Sequence, residues 1–205
     1  MEDMSVIWSD KYAGRIAVYD YYLPVIGLVG LGLGIDTADL GADDMPAIKE
    51  KLFAMKKVSK QVGEVVSSQT ALATGEVDIL VGGGEWITAV LSEDKPNLDW
   101  VIPKQGGLRW AQSIGVMKDS EKPDLALKFV QYIMSPEGQA RLATSSCYWG
   151  MPANAKAGEN LTDAQKAALR WDDQEGYLKN SQLYPIPDAD LDAEMQDAWV
   201  EMLQQ

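Results

Sequence analysis

Trp8-Ser9-Asp10-Lys11-Tyr12-Ala13-Gly14-Arg15 leads into Ile16-Ala17-Val18-Tyr19-Asp20, and Tyr21-Tyr22-Leu23-Pro24 follows at once. Residues 15 to 20 are β-branched and apolar enough for a buried strand, and the proline just beyond fits the first turn of a helix. The pattern predicts a strand, a turn that faces a ligand, and a helix. The helix, Leu23 to Gly34, carries Gly27, Gly30, Gly32 and Gly34. At about twelve residues it is short of the roughly twenty that a membrane span needs. It is expected to be buried and closely packed through its glycines. Their spacing does not supply the G-x-G-x-x-G of a dinucleotide site, and they lie inside a helical pattern rather than at its start.

Outward from this unit the alternation continues. Asp43-Asp44 before Met45-Pro46 opens a helix whose Ile48, Leu52, Met55 and Val58 recur at helical spacing, with lysines at its end to match the helix dipole. Val62 to Val66 is a short strand, Ser67-Ser68 caps a helix to Gly75, and Val77 to Val81 is a buried strand ended by Gly82-Gly83-Gly84. Glu85 to Leu91 is helical, Leu98 to Ile102 a strand, and Leu108 to Met117 a longer strand after Gly106-Gly107. From Lys122 helices dominate: 123 to 135, 136 to 145, one capped by Thr162-Asp163, and Leu191 to Leu203, with Tyr184 to Pro187 an extended link. Strands alternating with helices define an α/β sheet protein whose last third is helical.

Composition limits the function classes. With 205 residues and 46% hydrophobic content the chain is globular, and its net charge of −13 repels nucleic acids and anionic lipid while admitting cationic small molecules. Simple solubility is the other account of that charge. There is no histidine, so the commonest general base and metal ligand are missing, and no cluster of carboxylate, Lys or Tyr stands in for them. No catalytic residue, metal site or cofactor is expected. Cys147 has no second cysteine to pair with. The acidic start Met1-Glu2-Asp3-Met4 is unlike a secretory leader.

These segments together resemble the family 1 extracellular solute-binding proteins of ABC importers, most closely the spermidine/putrescine-binding branch. The resemblance rests on Trp8 with Tyr12, Gly14 and Arg15 leading into residues 16 to 20; on Gly75-Glu76-Val77-Asp78; on Pro103-Lys104-Gln105-Gly106-Gly107 followed by Trp110 and Ser113; and on Pro152-Ala153-Asn154. It implies a class II periplasmic-binding-protein-like α/β fold with one mostly complete lobe and part of the other. Residues 1–13 would be the interlobe entry, 14–105 lobe two, 106–116 the return hinge strand, 117–155 partial lobe one, and 156–205 helices packing across the lobes. The opening βα portion of lobe one would be absent. The helices over 123–135 and 136–145 then need another partner for their apolar faces, so a domain-swapped or otherwise paired oligomer is expected, or a shortened chain.

Ligands in such folds sit at strand ends, so the loops after strands hold the candidates. Tyr19, Asp20 and Tyr21 place one carboxylate among phenols, which suits an ammonium group held by charge and by ring quadrupoles. The alternative is that alternate tyrosines only pack on the core. Strand alternation puts Trp110 and Gln112 on one face and Arg109 on the other, where a salt bridge is expected. By resemblance Trp110 and Gln112 are the aromatic and polar pair of the ligand site, and Trp149 lines the cleft. Polyamine binders of the branch carry a carboxylate where this chain has Gln112, and an aromatic residue at about Gly83, whose loss either enlarges the pocket or moves the aromatic role to Trp86. Glu85 is either an ammonium partner or, more simply, a dipole partner at a helix start.

The resemblance implies the substrate-binding component of a bacterial ABC transporter, periplasmic at full length. It would bind a polyamine, amino acid or betaine-like solute, cationic or zwitterionic, and deliver it to permease subunits. The alternative is a truncated, non-transporting paralogue that acts as an interaction or scaffold protein.

Overall fold

The computed structural model describes residues 3–91, 94–145 and 148–205, so Cys147 lies outside the described residues. In chain order its regular elements are β1 (Ile16–Tyr19), α1 (Tyr22–Gly32), α2 (Met45–Val58), β2 (Gln61–Gly63), α3 (Val65–Ala73), β3 (Ile79–Val81), α4 (Glu85–Leu91) and β4 (Gly107–Arg109). Then follow α5 (Pro123–Met134), α6 (Pro136–Ala143), β5 (Thr144–Ser145), β6 (Tyr148–Trp149), α7 (Asp163–Ala168), α8 (Gln174–Lys179), β7 (Ser181–Leu183) and α9 (Ala189–Leu203). Two compact units result: Met1–Gly83 with Val101–Trp110 and Gly176–Gln205, and Gly84–Trp100 with Ala111–Glu175.

In the first unit β1 is the central strand of a parallel sheet ordered β2-β1-β3, and all four of its residues are buried. Arg15 at its entrance donates Nε and Nη2 to the carboxylate of Asp78 at the entrance of β3, at 2.9 and 2.5 Å. The Gly75-Glu76-Val77-Asp78 motif is thus a turn, with Gly75 at φ +74, that delivers a charge partner to the neighbouring strand. The apolar α1 is buried nearly throughout, as a helix without a polar face must be. Its glycines admit close neighbours: Gly27 lies under Leu108 and Pro185, and Gly32 under the ring of Trp8. α2 buries Ile48, Leu52 and Met55 in the same core as Met195, Trp199 and Met202 of α9.

A second parallel pair, β4 with β7, matches Gly107 to Ser181 and Arg109 to Leu183. The Pro103 to Gly107 motif ties β4 to the chain's start, because Gln105 Oε1 accepts from Met4 N at 3.1 Å and Lys104 pairs with Asp3 at 2.5 Å. The strand ends three residues in, short of the predicted 108–117, since its partner β7 runs out at Tyr184-Pro185 and proline has no N–H to extend a ladder. No strand forms over 98–102 either. There the Trp100 carbonyl accepts from Arg170 at 3.0 Å and the guanidinium stacks 4.6 Å above the Trp100 ring, which occupies the backbone a strand would use.

The start of α3 differs in a smaller way. Glu64, not Ser67 or Ser68, supplies the cap, accepting from Ser67 N at 3.3 Å, and Ser68 is buried with its hydroxyl on the Gly63 carbonyl. Arg109 makes no ion pair among the described residues, and its guanidinium instead donates to the Leu178 and Ser181 carbonyls.

The second unit is built on α4 to α7 around a small core of Ala140, Ala143, Ala157, Leu161 and Leu169, flanked by Trp149 and Trp171. Asn154 of the Pro152-Ala153-Asn154 motif caps the 3-10 turn Ala155–Asn160 and donates to the Met134 carbonyl at the end of α5, at 2.9 Å. α6 buries Gly138, Gln139, Ala140 and Ala143 within the unit. α5 buries none of its residues, and Leu125, Leu127 and Phe129 are exposed.

Candidate functional site

Three strand ends of the first unit converge. β1 delivers Asp20 and Tyr21; β4 and β7, parallel and paired to their last residues, deliver Trp110 and Tyr184 side by side, each one residue past a matched pair. The Trp110 and Tyr184 ring centroids are 5.9 Å apart and tilted by 41°, and Tyr21 meets Tyr184 edge-on at 6.5 Å and 77°. Tyr21 and Trp110 are 55% and 42% exposed, so the cluster is open to solvent and not spent on the core. Such rings attract cations by their quadrupoles.

Asp20 stands beside them with an exposed carboxylate. Its Oδ1 accepts from the indole Nε1 of Trp199 at 2.8 Å, and Oδ2 accepts no hydrogen bond among the described residues. Its amide continues the sheet ladder by donating to Gly63 O at 2.8 Å, which fixes the backbone of the loop. Beneath the loop Tyr19 is buried, and burial pushes its phenol up, so it stays neutral. Gly82, at φ +89, lies against the Tyr19 ring: a side chain there would meet both strain and the ring, while Gly83 beyond it is exposed.

The model of the bacterial extracellular solute-binding protein family matches residues 1–169. The chain belongs to this family. It is a family of solute-binding proteins and not of enzymes. The putrescine/agmatine-binding protein of Pseudomonas aeruginosa is 26% identical over 155 residues, covering 72% of this chain and 41% of that protein. Among solved structures, a spermidine/putrescine ABC transporter of Listeria monocytogenes superposes with TM-score 0.84 at 21% identity, over 98% of this chain and 61% of that one. The spermidine/putrescine ABC transporter substrate-binding protein of Streptococcus pneumoniae gives 0.80 at 20% identity, over 100% and 62%. The fold is therefore that of the periplasmic binding proteins. This solute-binding protein chain spans less than two thirds of the length of each of these relatives.

Of the residues singled out in the sequence, Tyr19, Asp20, Tyr21, Gly83 and Trp110 all belong to the first unit, and Tyr21, directly after Asp20, is joined to Trp110 through the ring of Tyr184. Glu85, Trp86, Gln112 and Trp149 belong to the second. Gln112 is exposed in irregular chain, so the alternation that paired it with Trp110 does not operate there. Trp149, in β6, packs on the small alanine and leucine core of its unit. Two residues in contact with these candidates escaped the sequence reading. Tyr184 is hidden in what reads as an extended link, although an aromatic directly before proline at a strand end is a signal for it. Trp199 reads as a buried helical residue, which it is at 5% exposure, but its N–H is spent on Asp20.

Glu85, first residue of α4, is held above the ordinary carboxylate range by burial. The folded chain therefore keeps this proton more tightly than the unfolded chain. Stability from this group is present at low pH and is lost as pH rises past the ordinary glutamate value of about 4.3 toward the raised one. Glu85→Gln is expected to raise the thermal midpoint at pH 7 and to leave it unchanged at pH 3.5, measured by calorimetry at both.

Proposed function

We propose that this chain carries the solute-recognition site of an ABC transporter's substrate-binding component, and that the solute bears an ammonium group. The observation that supports this most directly is the exposed Asp20 carboxylate with one oxygen unclaimed among the described residues, beside the exposed rings of Tyr21 and Trp110 and the half-buried ring of Tyr184 that meets both. A carboxylate and ring faces together select positive charge on a small organic body. The net charge of −13 adds a long-range field that draws cations in. The putrescine/agmatine and spermidine/putrescine names of its relatives point to the same chemistry. The solute would be captured outside the cytoplasmic membrane and passed to permease subunits, which supply the energy of transport.

Putrescine, agmatine and spermidine are the first ligands to test, with glycine betaine and common amino acids as zwitterionic comparators. A ligand that binds only the folded chain adds about 2.7 kcal/mol at a hundred times its dissociation constant. A clear rise in thermal midpoint with at least one diamine is expected. No rise with any amine would overturn the reading in favour of an interaction protein that kept the fold without the solute.

A further inference from the structure

The last helix reaches back to the ligand loop. Asp192, Gln196 and Trp199 are spaced by four and three residues along α9, which puts them on one helical face. Trp199 Nε1 donates to Asp20 Oδ1 at 2.8 Å. The Tyr22 hydroxyl donates to Asp192 Oδ1 at 2.7 Å, and Gln196 Nε2 holds the other Asp192 oxygen at 2.7 Å. The residues on both sides of Tyr21 are thus anchored to one helix, while Tyr21 itself faces solvent. The Asp192 carboxylate also raises the Tyr22 phenol, which keeps that anchor in its donating form.

We propose that Trp199 is a positioning residue for the site: its indole fixes Asp20 by Oδ1 and turns Oδ2 toward the cationic group of the solute. The proposal rests on the ligand reading above. An exposed aspartate on a loop otherwise samples several rotamers, and a ligand must then bear the cost of selecting one. The indole N–H suits this task because it is a donor only, carries no charge to cancel that of Asp20, and is itself fixed by packing with Met195 and Met202. A lysine there would pair its own charge with the carboxylate; the indole brings none.

The test is a cycle of putrescine dissociation constants, by calorimetry on the 205-residue chain. 3-Benzothienylalanine at position 199 keeps the tryptophan shape and replaces N–H with sulfur; Trp199→Phe is the second variant, and circular dichroism melts check both folds. Each is expected to weaken binding about five- to tenfold, and to add no further loss in Asp20→Asn. Losses that add to that of Asp20→Asn, or no loss from the sulfur isostere while Asp20→Asn binds weakly, would overturn the positioning role and leave the ligand reading intact. Putrescine binding that ignores Asp20→Asn would mean that the rings alone hold the solute and would remove this proposal, whereas binding absent from the unaltered chain would remove the ligand reading itself and this proposal with it.

Discussion

Asp20→Asn is expected to weaken putrescine binding about 10- to 100-fold while leaving the thermal midpoint of the unliganded chain nearly unchanged. The two halves of that expectation have separate causes. A charge-assisted hydrogen bond to an ammonium contributes about 1.5–3 kcal/mol, and asparagine keeps the shape but not the charge. The amide oxygen of asparagine can still accept from Trp199 Nε1, so the buried indole donor stays paired and the fold loses little. Asp20→Ala tests less cleanly, because it strands that donor and costs about 1–3 kcal/mol of stability on its own. Calorimetric titration of the aspartate and asparagine forms at two salt concentrations decides the matter. The affinity gap should narrow at high salt, as it does for any attraction between partly exposed charges. Equal affinities would mean that the rings alone hold the solute.

The local signals identify some parts of this site and not others. Ile16 to Tyr19 reads as a buried strand because four consecutive apolar residues precede a helix start, and it is the central strand. Trp110 is marked by the glycine turn before it. Tyr184 is not marked, because Ser181-Gln182-Leu183 has no hydrophobic period and becomes a strand only by pairing with Gly107 to Arg109 far back in the chain. Pairing across such a distance leaves no trace in a local pattern. The same holds for Leu98 to Ile102: its composition favours a strand, but Arg170 takes the Trp100 carbonyl and ring. Trp199 shows a different limit. Periodicity identifies it correctly as buried, and burial conceals that one atom of the side chain serves the surface. Grouping of 84–100 with the second unit is likewise a matter of long-range packing, since α4 lies against β6 and α7.

Leu52→Ala is expected to lower the unfolding free energy by about 2–5 kcal/mol, read from urea titration of the 205-residue chain. Leu52 is fully buried, in the middle of the apolar face of α2, in the cluster that holds Met195, Trp199 and Met202. Truncation removes apolar contact and leaves a void that the surrounding close-packed side chains fill only in part. Ile186→Ala makes the contrast: at 88% exposure it gives up almost no burial, and a change within about 0.5 kcal/mol is expected. The position of Leu52 makes the larger loss informative about function. α2 packs on α9, and α9 carries the Trp199 indole to Asp20, so a void beneath that contact loosens the helix that holds the Asp20 carboxylate. Putrescine affinity should therefore fall in Leu52→Ala under conditions where the chain is still folded, and Ile48→Ala, in the same core, should behave alike. If affinity holds while stability falls by the expected amount, then the α9 contact survives the void, and the core supports the site only by keeping the chain folded.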